Sequence, residues 1–140
     1  MAIYIGIDPG EHTGIAVWDT GLKKFLLIQT MPLHRALDEV RKWHASQGAT
    51  VIFEDARQRQ WFQKERNVSE YRGKLMGAGA AKRDAKIWEE FLTDLGITFF
   101  MQRPMAHCTK WSQEQFERVT GYKGRTSEHA RDAALLVYGR

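Results

Sequence analysis

Four side chains in this 140-residue sequence are of the types that hold a divalent cation against a phosphodiester: Asp8, Glu54, His129 and Asp132. Asp8 ends the apolar run Ile3-Tyr4-Ile5-Gly6-Ile7 and is followed by Pro9-Gly10. Glu54 ends a second apolar run, Val51-Ile52-Phe53. His129 and Asp132 stand three residues apart in the helical stretch Ser127-Glu128-His129-Ala130-Arg131-Asp132-Ala133, so they share one helix face. A single acid at a strand end is commonly a solvated loop carboxylate. Two at the carboxyl ends of neighbouring parallel strands stand about 5 Å apart and repel by roughly 3 kcal/mol at an effective dielectric near 20. A hard cation such as Mg²⁺ or Mn²⁺ turns that repulsion into a site, because such ions take carboxylate oxygens. The expected chemistry is hydrolysis of a phosphodiester with two ions. One would activate the attacking water and the other would stabilise the leaving 3′ oxygen.

Charge supports an anionic substrate. The chain carries a formal +4 and a pI of about 9.3. From Arg57 to Lys86 there are nine Lys/Arg against three Asp/Glu, a local +6, which leaves the rest of the chain at −2. Positive charge concentrated in one stretch is the footprint expected of a phosphate-facing surface; a solvated helix face is the plainer alternative. Within it Trp61 and Phe62 stand among Arg57, Arg59, Lys64 and Arg66. Aromatics among basic residues can stack on unpaired bases, unless one of the pair belongs to the core. Arg57, Arg59, Lys82 and Arg83 are the expected phosphate contacts of this region.

The elements that must position these groups are legible as changes of period. Residues 2–8, 13–18 and 23–29 read as three strands joined by short turns, an antiparallel meander. Leu33, Ala36, Leu37, Val40, Trp43 and His44 then follow helical spacing, and Gly48 ends that helix. Residues 50–53 are a fourth strand. A long helix runs from about Ser69 to Leu95, with small residues from Gly73 through Ala81, and Gly96 stops it. Residues 97–101 form a fifth strand, and helices over about 112–119 and 127–138 finish the chain. The reading is an α/β fold with a five-stranded mixed sheet flanked by helices, in one domain spanning residues 1–140.

These residues carry a resemblance. Ile5-Gly6-Ile7-Asp8-Pro9-Gly10 followed by Thr13-Gly14 resembles the first motif of RuvC-type Holliday junction resolvases, within the RNase H-like nuclease superfamily. Val51-Ile52-Phe53-Glu54 is similar to their second acidic strand, and His129-Ala130-Arg131-Asp132-Ala133 to their closing motif, in which an Asp or His precedes the last Asp by three. Thr120-Gly121 and Gly124-Arg125 are similar to the stretch before that motif. The resemblance implies an RNase H-like fold, a homodimer, and Mg²⁺-dependent cutting of branched DNA, with Mn²⁺ able to substitute. It also implies that an aromatic after Glu54 acts at the junction centre, that Lys110 contacts phosphate, an exposed bystander being the plainer alternative, and that Arg125 belongs to the DNA-binding surface. The segment from Gly121 to His129 is short for that family, as in the compact members that phages and prophages carry.

Other features bound the reading. One cysteine, Cys108, rules out an internal disulfide and fits a reducing, cytoplasmic compartment. No N-terminal apolar stretch has the length of a signal peptide or a membrane span. His107-Cys108 lacks a second pair and reads as structural rather than as a metal site. Gly73-x-x-x-Gly77-x-Gly79 lacks the strand-then-turn setting of a phosphate loop. It reads as a close-packing helix face, at a dimer interface or against the sheet. No small-molecule cofactor is expected. A nuclease of structured RNA and a non-catalytic nucleic-acid-binding module are the competing functions. An actin-like ATPase begins with a similar strand but needs two such domains.

Overall fold

The computed structural model of the chain describes residues 2–58, 68–104 and 110–140, and for residues 68–75 the backbone alone. Strands β1 (Ile3–Asp8), β2 (His12–Asp19) and β3 (Lys24–Pro32) are followed by helix α1 (Leu33–Gln47) and strand β4 (Thr50–Glu54). A 3₁₀ turn, Ala56–Gln58, leads on towards the long helix α2 (Val68–Asp94). Strand β5 (Thr98–Gln102) and helices α3 (Gln113–Thr120) and α4 (Glu128–Val137) complete the order. The sheet order is β3-β2-β1-β4-β5. β1 and β2, and β2 and β3, pair antiparallel, whereas β4 pairs in parallel with both β1 and β5. The expected α/β architecture with a five-stranded mixed sheet is therefore what the chain adopts.

Alternation decides which face each strand buries. Ile3, Ile5 and Ile7 of β1 and Val51 and Phe53 of β4 point to one side, into a core with Ala36 and Val40 of α1 and Ala85, Trp88 and Leu92 of α2. The α2 residues recur at helical spacing, so one stripe of that helix meets the sheet. On the other side Ala16, Trp18 and Ile52 pack with Phe116 of α3 and Ala130, Ala133, Ala134 and Val137 of α4. A register shift between Val17 and Trp18 moves the pairing from Leu27 to Phe25 and leaves Leu26 out of the ladder, 37% exposed.

The helix ends follow local chemistry. Ser112 caps α3 in a reciprocal box with Gln115, and Gly121 closes that helix at φ 76°. Ser127 caps α4 by accepting from the Ala130 amide. Two strand glycines let α4 lie directly on the sheet. A Cβ on Gly6 would stand 2.1 Å from the Ala133 carbonyl oxygen, and one on Gly14 would stand 2.0 Å from that of His129. Neither fits, so only glycine allows the helix to come this close. No helix among the described residues is long and apolar enough to cross a membrane.

Candidate active site

The parallel register of β1 and β4, with Ile7 opposite Phe53, brings Asp8 and Glu54 side by side at the carboxyl ends of the two central strands. Ile7 and Phe53 belong to the α1–α2 core, so by alternation Asp8 and Glu54 project to the opposite face, which α4 covers. His129 and Asp132 reach the same end of that face from the first turns of α4. His129 Nδ1 is 2.9 Å from Asp8 Oδ2. Asp132 Oδ2 accepts a short contact from Lys110 Nζ, and Lys110 also stands 3.8 Å from Glu128. The turn after Asp8 is fixed by the buried Thr13, whose hydroxyl donates to the Gly10 carbonyl at 2.8 Å.

Electrostatics mark the cluster as rich in carboxylate. Asp8 is only 15% exposed, and burial pushes its carboxyl above the usual range. The His129 hydrogen bond works against that rise, and the charge of Asp132 adds to it. Burial works against a charged Lys110, yet the hydrogen bond and charge of Asp132, together with Asp8 and Glu128, raise it. Acids and cations thus neutralise one another across β1, α4 and the residue that leads into α3.

Three carboxylates and an imidazole are the donors a hard divalent cation takes, and all four sit at one end of one sheet face. The residues fit Mg²⁺ or Mn²⁺ in kind, and an added cation would relieve the repulsion felt by Asp8. Among the described residues no three His, Cys, Asp or Glu side chains are gathered closely enough to hold a metal as they stand. Asp8 is engaged with His129 and Asp132 with Lys110.

The expected nucleic-acid contacts divide. Lys82 and Arg83 are exposed on α2, and Arg125 is exposed before α4. Arg57 is engaged within the chain. Its Nε donates to Asp55 Oδ1 at 2.7 Å, and its Nη2 donates to Asp55 Oδ2 at 3.1 Å and to Glu89 Oε2 at 2.7 Å. It ties the end of β4 to α2. Arg59, Trp61 and Phe62 lie outside the described residues, as do His107 and Cys108.

Sequence reasoning passed over Arg131 and Gln113. Arg131 donates from Nε to the Trp111 carbonyl at 2.8 Å and from Nη1 to the Thr126 carbonyl at 2.7 Å. Gln113 accepts from the Thr126 amide and donates to the Gly124 carbonyl, each at 2.8 Å. Together they fix the segment that carries Lys110 to Asp132. The available signal was an arginine inside the closing helix, one residue before its acid. No protein-family model matches the chain, and no curated protein sequence matches it.

Proposed function

We propose that this chain is a RuvC-like, RNase H-like nuclease: a divalent-metal-dependent, structure-selective endodeoxyribonuclease that cuts branched DNA such as four-way junctions. One observation carries the reading. Asp8, Glu54 and the His129/Asp132 pair come from three distant parts of the chain, and the sheet topology delivers them to one end of one face. The antiparallel meander followed by helix-linked parallel strands agrees with an RNase H-like arrangement.

Asp8, Glu54, Asp132 and His129 would hold the ions, which when bound supply an activated water and charge stabilisation at the leaving 3′ oxygen. The protein's own groups do the rest. With Nδ1 engaged by Asp8, His129 has Nε2 as the ring position that can exchange a proton with a reacting group, if the ring is not itself a ligand. Lys110, an exposed cation beside Asp132, would meet a substrate phosphate. Lys82, Arg83 and Arg125 would guide the backbone, and a homodimer would present two such sites to a junction of two-fold symmetry.

The test is incubation of purified protein with labelled four-way, flap and linear DNA and with a structured RNA, in Mg²⁺, Mn²⁺ or EDTA. Junction cleavage that needs metal and disappears in Asp8→Asn is the expected result. Preferential RNA cleavage would move the reading to an RNA-processing nuclease, and full activity of Asp8→Asn would remove the site assignment.

A further inference from the structure

We propose that Lys110 is a built-in counter-cation that holds Asp132 until a phosphate arrives, and so couples metal loading to nucleic-acid binding. The inference rests on the metal-dependent nuclease reading and assigns one residue's part in it. The Lys110 ammonium lies on Asp132 Oδ2 and 3.8 Å from Glu128 Oε1. Asp132 is 16% exposed, whereas Lys110 is 61% exposed, so the lysine covers an inner acid from the solvent side.

The placement is built rather than incidental. Arg131 of α4 holds the Trp111 carbonyl, next in sequence to Lys110, and also the Thr126 carbonyl. Gln113 bonds Gly124 and Thr126. Each ring of bonds closes between the start of α3 and the start of α4, so the segment next to the cation is tied to the helix bearing the acid. His129 meets Asp8 in the same way. Each of these two acids therefore already has a cationic or proton-bearing partner.

A lysine and a divalent cation compete for the same carboxylate oxygens, because both satisfy the same negative charge. A phosphate is a second acceptor for the ammonium, and Lys110 is exposed enough to meet one arriving from solvent. Transfer of Lys110 from Asp132 to phosphate frees the carboxylate for metal at the moment substrate is present. Without nucleic acid the metal must displace the lysine, and its affinity is lower.

The experiment is Mn²⁺ titration by calorimetry or electron spin resonance, with no nucleic acid present, on wild type, Lys110→Met, Lys110→Arg and Asp8→Asn. Lys110 is exposed enough that its replacement leaves the core intact, which circular dichroism checks. Lys110→Met removes the charge and keeps the stem; it should bind Mn²⁺ on the order of tenfold more tightly than wild type. Lys110→Arg, still cationic, should stay near wild type. Unchanged or weaker Mn²⁺ binding in Lys110→Met, with Asp8→Asn abolishing it, would overturn this inference and leave the nuclease reading standing. Mn²⁺ binding absent in both wild type and Lys110→Met would overturn both.

Discussion

Asp8 and Asp55 are both carboxylates at strand ends, and their surroundings drive them in opposite directions. Burial raises Asp8, and Asp132 adds to the rise against the pull of His129 and Lys110. Burial also works on Asp55, but the Arg57 side chain, the Arg57 amide and the Gln58 side chain outweigh it and hold its carboxyl below the ordinary 3.8. The signs for stability follow. With its folded pKa raised, Asp8 favours the fold below 3.8, and that contribution is lost as pH rises through its folded value. Asn keeps the neutral shape, so metal-free Asp8→Asn should melt above wild type near neutrality. The gap should close as pH falls below 3.8. Melting curves from about pH 3 to about pH 7 check this, and a constant gap would contradict it. Asp55 behaves inversely: its contribution is present above 3.8 and is lost as pH falls through its lower folded value. Asp55 is 4% exposed and Arg57 30%, so Arg57→Ala strands a buried charge. It should cost about 2–3 kcal/mol, read as a lower midpoint in urea, with DNA affinity affected less than stability. The sequence announced Asp8 through its apolar run and following turn. It disguised Asp55 and Arg57, because an acid two residues before a base looks like any loop until the 3₁₀ turn aims both inward. The Lys110–Asp132 contact was equally hidden, since 22 residues separate partners that only the folded chain joins.

Among the elements, α4 is the one whose position decides the site, because it carries His129 and Asp132 and lies against Gly6 and Gly14. A Cβ at Gly14 would sit 2.0 Å from the His129 carbonyl oxygen, a backbone atom that cannot swing aside. Gly14→Ala should therefore lift the first turn of α4 and break the 2.9 Å contact between His129 and Asp8. The expected cost is about 1–3 kcal/mol in stability, together with loss of metal-dependent cleavage. The His129 ring signals in an NMR spectrum should move towards those of an unpartnered histidine. Gly10→Ala is the control, since its Cβ would meet nothing closer than the His12 carbonyl oxygen at 3.4 Å. Equal effects of the two changes would show that glycine flexibility, not helix approach, is what matters. Periodicity made the elements legible: the alternating Ile3-Ile5-Ile7 run and the helical spacing from Leu33 to His44 both appear where expected. Their extents were less legible. β3 continues to Pro32, beyond the expected 29, because Thr30, Met31 and Pro32 pair with Gly14, Thr13 and His12. Such pairing is a property of the neighbouring strand and leaves no mark on β3 itself. The reason for Gly6 and Gly14 was hidden likewise, since it lies in a helix more than a hundred residues away.

On the scale of the whole molecule, α2 is disproportionate to the sheet it packs on. Its 27 residues span about 40 Å at 1.5 Å per residue, against about 17 Å for five-residue β4. Glu89 meets Arg57 at the carboxyl end of β4, so the turns N-terminal to it run on past the strand ends, where the acids lie. Lys82 and Arg83 are exposed there. Lys82→Gln with Arg83→Gln should weaken DNA binding about equally for all sequences and flatten the salt dependence, with a slope change of about 1–2 if each cation meets a phosphate. An unchanged slope would make them a solvated face. The same half of α2 poses a packing question. Gly77 and Gly79 have nothing within 4 Å of an added Cβ, and Met76 is 77% exposed. Packing on the sheet therefore does not explain these two glycines among the described residues. An exposed glycine inside a helix costs about 1 kcal/mol relative to alanine, so two in three positions need another benefit. Close approach of a second helix backbone supplies one, and a two-fold pairing of α2 with its copy would set two sites in a symmetric assembly. Light scattering at micromolar concentration should give twice 16.2 kDa for the wild type. Gly77→Leu has room in the single chain and raises helix propensity, so the isolated fold should survive. Its mass should fall to the monomer value, and junction cleavage should become single-sided nicking. A Gly77→Leu dimer of unchanged mass would place the interface elsewhere, and a wild-type monomer that resolves junctions fully would end the two-fold argument.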